Sequence, residues 1–362
     1  MTAADEAKPA WAEVDDGSRT VGLVDPDALA KWMDEKGLPG KGETLEAVFI
    51  SGGSSNEIFG IRRGEFRAAL RRPPRVVPDG RNETMLREYR VLEALNGTDV
   101  PHPEAIAVCD DPNVLGACFY LMGQIDGWSP MGMGDQWPDP FNNDLNARHG
   151  LGIQLVDGIA RLARVDWSAR GLEGFGKPEG FLERQADRWT SHYEKLKTRD
   201  LPDVAFIADW LRNNIPTNYE PGIIHGDYQF ANVMYANGAP AQLEAIVDWE
   251  MTTIGDPLLD LGWVLQGWPR DGEVAGSGSY VPMESMPSRS ELLEHYSKVS
   301  GRSTADIDFY EVLAGFKLAV VLEGQYSRYA NGQLDNPKIM AFGEVVPGLL
   351  AAASERVRAL SS

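Results

Sequence analysis

Cysteine, long apolar runs and positive charge are all scarce in this 362-residue chain. The two cysteines, Cys109 and Cys118, are too few for a disulfide framework and form no C-x-x-C motif, so a reduced pair is expected. No run approaches the roughly 18 apolar residues of a membrane helix. The first 16 residues lack the apolar core of a secretory signal. These absences predict a cytoplasmic protein without a membrane partner.

The charge balance excludes a further class of partner. Lysine and arginine number 34 against 54 aspartates and glutamates, which gives a formal net charge of −20. A field of that sign repels nucleic acid and anionic lipid, and it mildly attracts cations. We therefore expect no nucleic-acid partner.

The pattern of apolar residues divides the chain into a tail and two regions. Residues 1–20 are polar and acidic, which predicts a mobile tail. The next region, 21–122, predicts helices at 26–36 and 82–95 and strands at 45–50, 57–61, 65–70 and 117–122. After a connector at 123–127, residues 128–362 predict helices at 145–165, 180–197, 203–213, 290–300, 306–329 and 337–360. The fold class is therefore α+β, with a small antiparallel sheet lobe and a larger, mainly helical lobe.

One non-helical stretch, 222–248, interrupts the helical region. Asn237-Gly238 between two apolar runs predicts a hairpin in which residues 233–235 pair with 243–247. That pairing would bring Asn232, before the first strand, close to Asp248, after the second. Asp227 precedes Asn232 by five positions across a tight loop. Three oxygen-bearing side chains are thus expected to converge.

Such a set of oxygen donors suits phosphoryl transfer. One carboxylate orients an acceptor hydroxyl and takes its proton, while a carboxylate and an amide oxygen hold Mg²⁺ against the phosphates. The Asp-x-x-x-x-Asn spacing matches the catalytic-loop signature of kinases. Each motif alone is also ordinary turn or capping chemistry, so the prediction depends on their combination.

The other polar residues of the stretch are interpreted as structural. His225 is expected to bond backbone groups and make the loop rigid. Asp256 and Asp260, in Gly255-Asp256-Pro257-Leu258-Leu259-Asp260, are expected to cap a helix or brace the loop rather than to act in catalysis.

Over roughly residues 40–345 the chain resembles the aminoglycoside phosphotransferase/choline kinase superfamily. The motifs that carry the resemblance are His225-Gly226-Asp227-x-x-x-x-Asn232, Ile246-Val247-Asp248-Trp249-Glu250 and Gly255-Asp256-Pro257-x-x-Asp260-Leu261-Gly262. Within the superfamily it is most similar to phosphotransferase-like domains associated with acyl-CoA dehydrogenases. The resemblance implies a two-lobed, protein-kinase-like fold, with an N-lobe at 21–122, a hinge at 123–127 and a C-lobe at 128–362.

The resemblance also implies an enzyme that uses Mg²⁺ and ATP or GTP. Asp227 would be the catalytic base, and Asn232 and Asp248 the metal ligands. Glu88 matches the helical glutamate that pairs with the phosphate-binding residue, and Met122 ends a strand similar to the hinge that meets the base. The loop that covers the phosphates would be formed by Gly52, Gly53, Ser54, Ser55 and Asn56.

One position departs from the family pattern. The phosphate-binding lysine of the family falls within Ala69-Leu70-Arg71-Arg72-Pro73-Pro74, which contains no lysine. Arg71 is the best match, with Arg72 next. Arginine keeps the charge and can fork onto phosphate oxygens, but it is bulkier than lysine.

Three functions remain open at this stage. The branch resemblance implies a small-molecule hydroxyl acceptor, such as a hydroxyacyl or other apolar metabolite. An apolar acceptor pocket would be lined by Trp128, Met131, Met133, Trp137, Trp263 and Trp268, although such residues are core as often as pocket. The alternatives are an aminoglycoside or macrolide kinase, which the charge of −20 slightly favours, and a catalytically silent nucleotide-binding pseudokinase, which only Arg71 favours.

Overall fold

The computed structural model describes residues 22–52, 56–131, 136–270 and 281–361, which form two compact units. The N-terminal unit comprises the described residues up to Asp126 together with Glu244–Glu250. The C-terminal unit comprises the described residues of Gly127–Leu243 and those from Met251 onward. The predicted tail at 1–20 lies outside the described residues.

An antiparallel sheet of five strands forms the frame of the N-terminal unit. Its strands are β1 (Leu45–Gly52), β2 (Glu57–Arg63), β3 (Phe66–Arg72), β4 (Ala105–Cys109) and β5 (Phe119–Met122). They lie in the order β1-β2-β3-β5-β4. The predicted antiparallel sheet is confirmed, and β4 is a strand that the sequence interpretation missed.

The two faces of this sheet have different partners because successive side chains of a strand point to opposite sides. Helix α1 (Pro26–Glu35), capped by the Asp25 side chain, packs its apolar side against the face that carries Leu70. Arg71 and its cross-strand neighbour Tyr120 point to the other face. There they meet α2 (Arg81–Leu95). The sheet thus separates an apolar core from a polar face.

Four short strands lie in or beside the non-helical stretch. They are β6 (Gly222–Ile224), β7 (Val233–Tyr235), β8 (Leu243–Ile246) and β9 (Thr253–Gly255). In the C-terminal unit β6 pairs antiparallel with β9, with Ile223 opposite Ile254. The predicted turn is present, and the Ala236 amide donates to the Gln242 carbonyl at 3.0 Å across it. In the N-terminal unit, the Ile246 amide donates to the Pro101 carbonyl at 2.9 Å.

Helices make up most of the C-terminal unit. They are α3 (Leu145–Leu162), α4 (Gln185–Leu196), α5 (Asp203–Asn213), α6 (Leu258–Leu265), α7 (Arg289–Ser300), α8 (Ile307–Ala330) and α9 (Phe342–Leu360). The long α8 is central, and α4, α5, α6 and α9 all pack against it. Helix α6 was not predicted, α4 begins later than expected, and Pro337–Ala341 is a 3₁₀ turn.

Helix α6 approaches α8 closely because it contains a glycine. A Cβ at Gly262 would lie 2.8 Å from the carbonyl of Tyr310 in α8, closer than two such atoms can come. This contact fixes the first turn of α6, which carries Asp260, against the centre of the unit.

Candidate active site

The loop that leaves β6 is held by a carboxylate from α6. The amides of His225 and Gly226 donate to the two oxygens of Asp260 at 2.6 and 2.9 Å. Gly226 has a φ of +91°, and a Cβ there would lie 2.5 Å from the carbonyl oxygen of Met251. Only glycine therefore fits this position without displacing the backbone.

His225 and Asp256 have structural contacts, as the sequence interpretation expected. The imidazole of His225 is fully buried, and its Nδ1 accepts from the amide of Asp227 at 3.3 Å. Asp256 accepts from the amide of Leu258, the first residue of α6, at 3.0 Å and from the hydroxyl of Tyr310. The expected bracing roles of His225, Asp256 and Asp260 are confirmed.

Asp227 and Asn232 lie together in the C-terminal unit. The amide nitrogen of Asn232 donates to Oδ2 of Asp227 at 3.0 Å and to its backbone carbonyl at 2.7 Å. Gln229 donates to Oδ1 of the same carboxylate at 3.0 Å. The 3₁₀ turn Phe230–Asn232 brings the two ends of this loop together. The five-residue spacing therefore brings these two side chains into hydrogen-bonded contact, and their roles as base and metal ligand stay predictions.

A buried lysine that the sequence interpretation missed donates a hydrogen bond to this loop. Lys317 of α8 is 7% exposed, and its Nζ donates to the carbonyl of Gly226. Burial lowers the pKa of Lys317, against the charges of Asp260 and Asp227, which raise it. The available signal was a single charged residue inside the apolar pattern Phe316-Lys317-Leu318-Ala319-Val320.

Asp260 is buried next to this lysine. Burial raises the pKa of its carboxyl to about 6, although the amides of Gly226 and His225 and the charge of Lys317 each lower it. The brace of the loop is therefore itself a titratable group.

In the N-terminal unit, Arg71 lies between two carboxylates. Its Nε is 2.8 Å from Oε2 of Glu88, and its Nη2 donates to Oδ1 of Asp248 at 2.6 Å. The hydroxyl of Tyr120 donates to the same Glu88 oxygen at 2.9 Å. The expected pairing of Glu88 with Arg71 is present, and Tyr120 is a further member of the network. The second candidate, Arg72, instead donates to backbone carbonyls, of Leu23 and Pro73.

Burial and neighbouring charges oppose each other in this network. It raises the pKa of Glu88, which the charge of Arg71 opposes. Burial on its own lowers the pKa of Arg71, but the combined effect of Tyr120, Glu88 and Asp248 raises it well above its usual range. Arg71 is thus a permanent cation at this position.

Asp248 has two properties that distinguish it from its neighbours. Its φ of +65° is in the left-handed region, which non-glycine residues seldom adopt. Its side chain is 37% exposed, whereas those of Arg71 and Glu88 are 7% and 1% exposed. The predicted participation of Asp248 in one site with Asp227 and Asn232 stays a prediction.

The remaining nucleotide-site candidates are only partly within the described residues. Gly53, Ser54 and Ser55 lie outside them, while Gly52 ends β1 and Asn56 is buried. Met122 ends β5, opposite Ala69 and Ala105. A cavity of about 580 Å³ lies beside the residues that follow Met122. It is lined by Phe66, Arg67, Glu104, Ile106, Gly123, Gln124 and Asp126. Phe66 and Ile106 also pack against the core on the α1 face.

The aromatic residues expected around an acceptor are mostly core residues. Trp128 and Trp137 are buried and pack against each other, with Phe141 also against Trp128. Trp268 is buried and stacks on Phe230. Met131 and Trp263 are half-buried, and Met133 lies outside the described residues. Of the two alternatives left open by the sequence, core or pocket, these three buried tryptophans are core residues.

Two kinds of feature are absent from the described part of the chain. It contains no group of three or more His, Cys, Asp or Glu side chains arranged to hold a metal ion. It also contains no helix with the length and apolar character needed to cross a bilayer. The predicted magnesium ligands are of a different kind, an amide together with one carboxylate.

Comparison with known proteins identifies the superfamily. The sequence profile of the phosphotransferase enzyme family APH matches residues 46–281. Acyl-CoA dehydrogenase family member 11 of Pongo abelii is 30% identical over 312 residues, which cover 84% of this chain and 39% of that protein. The chain thus spans about two fifths of the length of that relative.

Solved structures agree with this match. A Ralstonia eutropha protein assigned to the aminoglycoside phosphotransferases has a TM-score of 0.79 and 27% identity, covering 92% of this chain and 98% of that chain. A thermostable variant of the aminoglycoside phosphotransferase APH(4)-Ia, in complex with ADP and hygromycin B, has a TM-score of 0.55 and 14% identity, covering 91% and 98%. The fold is therefore of the aminoglycoside phosphotransferase, kinase-like type. The chain belongs to the phosphotransferase enzyme family.

Proposed function

We propose that the protein transfers the γ-phosphoryl group of ATP or GTP to a hydroxyl group of a small molecule. The observation that carries the proposal is the loop of the C-terminal unit in which Asn232 and Gln229 each donate to Asp227 at 3.0 Å. The braced turn at Gly226 sets the direction of this loop. Family membership supports the same reaction class.

In this proposal Asp227 is the catalytic base. Its carboxylate accepts the proton of the acceptor hydroxyl as the hydroxyl oxygen forms a bond to the γ-phosphorus. The bond from that phosphorus to the β,γ-bridging oxygen breaks, and the nucleoside diphosphate leaves with the electron pair. The donors from Asn232 and Gln229 hold the carboxylate in one orientation, which positioning catalysis requires.

Asn232 and Asp248 are the residues that we propose to hold Mg²⁺, and their donor chemistry fits that ion. Both supply the hard oxygen atoms that Mg²⁺ prefers. The nitrogen of the Asn232 amide donates to Asp227, so its Oδ1 is the atom suited to a metal. The strained, partly exposed Asp248 is of the type found at functional sites. When bound, Mg²⁺ neutralises charge on the phosphates.

Arg71 is the proposed partner of the nucleotide phosphates, with Glu88 holding its side chain. A guanidinium can contact two oxygens at once, which suits phosphate as well as carboxylate. Gly52–Asn56 are proposed to cover the phosphates through backbone amides, and the strand that ends at Met122 to meet the base. The structural relative bound to ADP supports nucleotide use.

For the acceptor we propose a hydroxyacyl or related apolar metabolite. The support is the match to a protein named for acyl-CoA dehydrogenation, of which this chain spans 39%. The alternative, a cationic antibiotic, is supported by the formal charge of −20 and by the structural relative bound to hygromycin B.

A second candidate function is nucleotide binding without turnover. The ion pair between Arg71 and Asp248 favours it, because a proposed metal ligand is already paired with a cation at 2.6 Å. Retention of Asp227 and Asn232 in hydrogen-bonded contact opposes it.

The turnover experiment measures ADP or GDP release with Mg-ATP and Mg-GTP. Acceptors would include hydroxyacyl thioesters, hydroxylated lipids, aminoglycosides and macrolides. With an acceptor that turns over, Asp227→Asn should lower kcat by about 10²- to 10⁴-fold, because it removes the proton acceptor but keeps the shape. Asp209→Asn, at an exposed residue of α5, is the matched control. Unaltered turnover in Asp227→Asn would remove Asp227 from its role.

Nucleotide binding is tested separately by thermal shift. Asp248→Ala should fold but lose most of the stabilisation by Mg-ATP that the wild type shows, because binding to the folded state alone raises the unfolding temperature. A full ligand-induced shift in Asp248→Ala would refute the metal assignment. Tight Mg-nucleotide binding by the wild type, with no turnover on any acceptor, would favour the silent nucleotide-binding protein.

A further inference from the structure

Lys317 is the buried lysine of the described part of the chain, and its position needs an explanation. It lies in the middle of α8 with 7% of its surface exposed. Removing an ammonium group from water is costly unless the protein replaces the lost hydration. Its burial lowers its pKa, so the fold does not hold this charge without cost.

The replacement for water comes from a backbone carbonyl and two aromatic rings. Nζ donates to the carbonyl of Gly226. It also lies 4.5 Å from the ring centre of Trp263 and 5.9 Å from that of Trp189. Both distances are within the range over which a cation is attracted to the face of an aromatic ring.

The hydrogen bond of Lys317 falls on the residue before the proposed base. Gly226 is thereby held at both ends, since its N–H donates to Asp260 at 2.9 Å and its C=O accepts from Lys317. Its φ of +91° sets the direction in which the chain enters Asp227. Rotation of this peptide would therefore turn the Asp227 carboxylate.

We infer that Lys317 is a positioning residue for phosphoryl transfer, whose ammonium fixes the Gly226 carbonyl and so aims the Asp227 carboxylate. The inference rests on the proposed function of Asp227. The ammonium, and not only the bulk of the side chain, has this effect, because the Gly226 carbonyl needs a donor and Nζ supplies it. No residue of α8 was a candidate from the sequence motifs.

The same geometry bears on acceptor recognition. Trp189 and Trp263 form an aromatic pair of the kind that binds ammonium ions. The chain's own ammonium already occupies it. These two rings are therefore not available to the ammonium group of an acceptor.

The test compares Lys317→Met and Lys317→Arg with the wild type. Methionine matches the volume but has neither charge nor donor, so kcat should fall about 10- to 100-fold, the cost of a misplaced catalytic group. The KM for Mg-ATP should change less than about threefold, because the proposed phosphate contacts are on other residues. The melting temperature should fall by only about 2–6 °C, since one buried carbonyl loses its donor while Asp260 keeps both amide donors. Lys317→Arg should keep part of kcat.

Arg199→Met is the matched control in the same unit. Arg199 pairs with the buried Glu323 of α8 at 2.7 Å and contacts no residue of the 225–232 loop in the described hydrogen bonds. Its loss should lower the melting temperature but leave kcat at 25 °C unchanged. A merely structural lysine would behave like this control, and that result would overturn the inference.

Chemical rescue separates charge from packing. Added n-propylammonium should raise the kcat of Lys317→Ala at least about tenfold, and the effect should saturate with its concentration. Added 1-propanol should not raise kcat. Equal effects of the two compounds, or no rescue in a folded variant, would contradict the inference.

Amide hydrogen exchange provides a readout that needs no acceptor. Exchange in residues 225–232 of Lys317→Met should be about tenfold faster than in the wild type, and unchanged in Arg199→Met. If no acceptor turns over, the proposed function fails while this result still decides whether Lys317 holds the loop. If Asp227→Asn abolishes turnover but Lys317→Met retains kcat within twofold and wild-type exchange, only the inference fails.

Discussion

Arg71 in the N-terminal unit and Lys317 in the C-terminal unit are both buried cations, yet their partners differ in kind. Arg71 contacts two carboxylates directly, those of Glu88 and Asp248. Lys317 contacts a backbone carbonyl and aromatic rings, while the nearby Asp260 is satisfied by two backbone amides. The carboxylates of the first network have a cation as a direct partner, and the carboxylate of the second has backbone amides.

This difference in partners predicts different consequences when each cation is removed. Removing one partner of a directly paired buried ion leaves the other charge without compensation, which is strongly destabilising. Removing Lys317 leaves Asp260 with both amide donors and leaves a neutral carbonyl without its donor. We therefore expect Arg71 to matter more to the free energy of unfolding, and Lys317 to the orientation of one loop.

The largest effect should come from Arg71→Met. The buried Glu88 would lose its cation, and the free energy of unfolding should fall by about 3–5 kcal/mol in urea denaturation. Adding Glu88→Gln should recover at least half of the loss. Arg62→Met removes an exposed pair with Glu46 and should cost less than about 1 kcal/mol. A cost for Arg71→Met no larger than for Arg62→Met would break the comparison.

A second effect concerns the titration of Asp260. Its folded-state pKa of about 6 is above its ordinary value of 3.8. Below about pH 4 both states are protonated. Between pH 4 and 6 the unfolded chain gives up the proton first, so this group alone lowers the free energy of unfolding by on the order of 3 kcal/mol, and it adds no further change above pH 6.

Asp260→Asn removes this titration and is therefore the test. From pH 4 to 6.5 the free energy of unfolding of the wild type should fall, relative to that of the variant, by on the order of 3 kcal/mol. Urea denaturation at several pH values measures it. Curves that stay parallel over this range would contradict the raised pKa of Asp260.

The smallest effect compares two buried tyrosine hydroxyls. Tyr120 donates to the carboxylate of Glu88 at 2.9 Å, and Tyr235 donates to the carbonyl of Leu151 at 2.7 Å. Because hydrogen bonds to charged groups are stronger, Tyr120→Phe should cost about 1.5–3 kcal/mol and Tyr235→Phe about 0.5–1.5 kcal/mol. Thermal and urea unfolding of both variants would show the order. A reversed order would mean that Arg71 alone satisfies Glu88.

Local patterns predicted much of the fold. Most helices and strands were expected within a few residues of their observed ends, because apolar periodicity and capping residues act over short distances. The strand Ala105–Cys109 and the helix Leu258–Leu265 were missed. Both are short, and the helix overlaps a stretch interpreted as a loop-bracing motif, so neither has the long periodicity that identifies an element.

Some contacts between residues distant in the sequence were predicted, and others were not. The pairing of Arg71 with Glu88 was expected from the family resemblance and is present. Tyr120 and Lys317 were not expected, because nothing in their local sequence indicates which polar group they meet. Three tryptophans expected in a pocket are buried, because aromatic residues look alike in sequence whether they line a site or fill a core.

The sequence by itself determined the order of the sheet and helical regions, the turn at Asn237-Gly238 and the five-residue link between Asp227 and Asn232. These depend on neighbours along the chain, where backbone geometry limits the choices. Only the tertiary structure decided that α8 supplies an ammonium to the carbonyl of Gly226 across 91 positions. The reason is physical: the burial of a charge is settled by all the groups that replace its water, and for Lys317 those groups come from three separate segments of the chain.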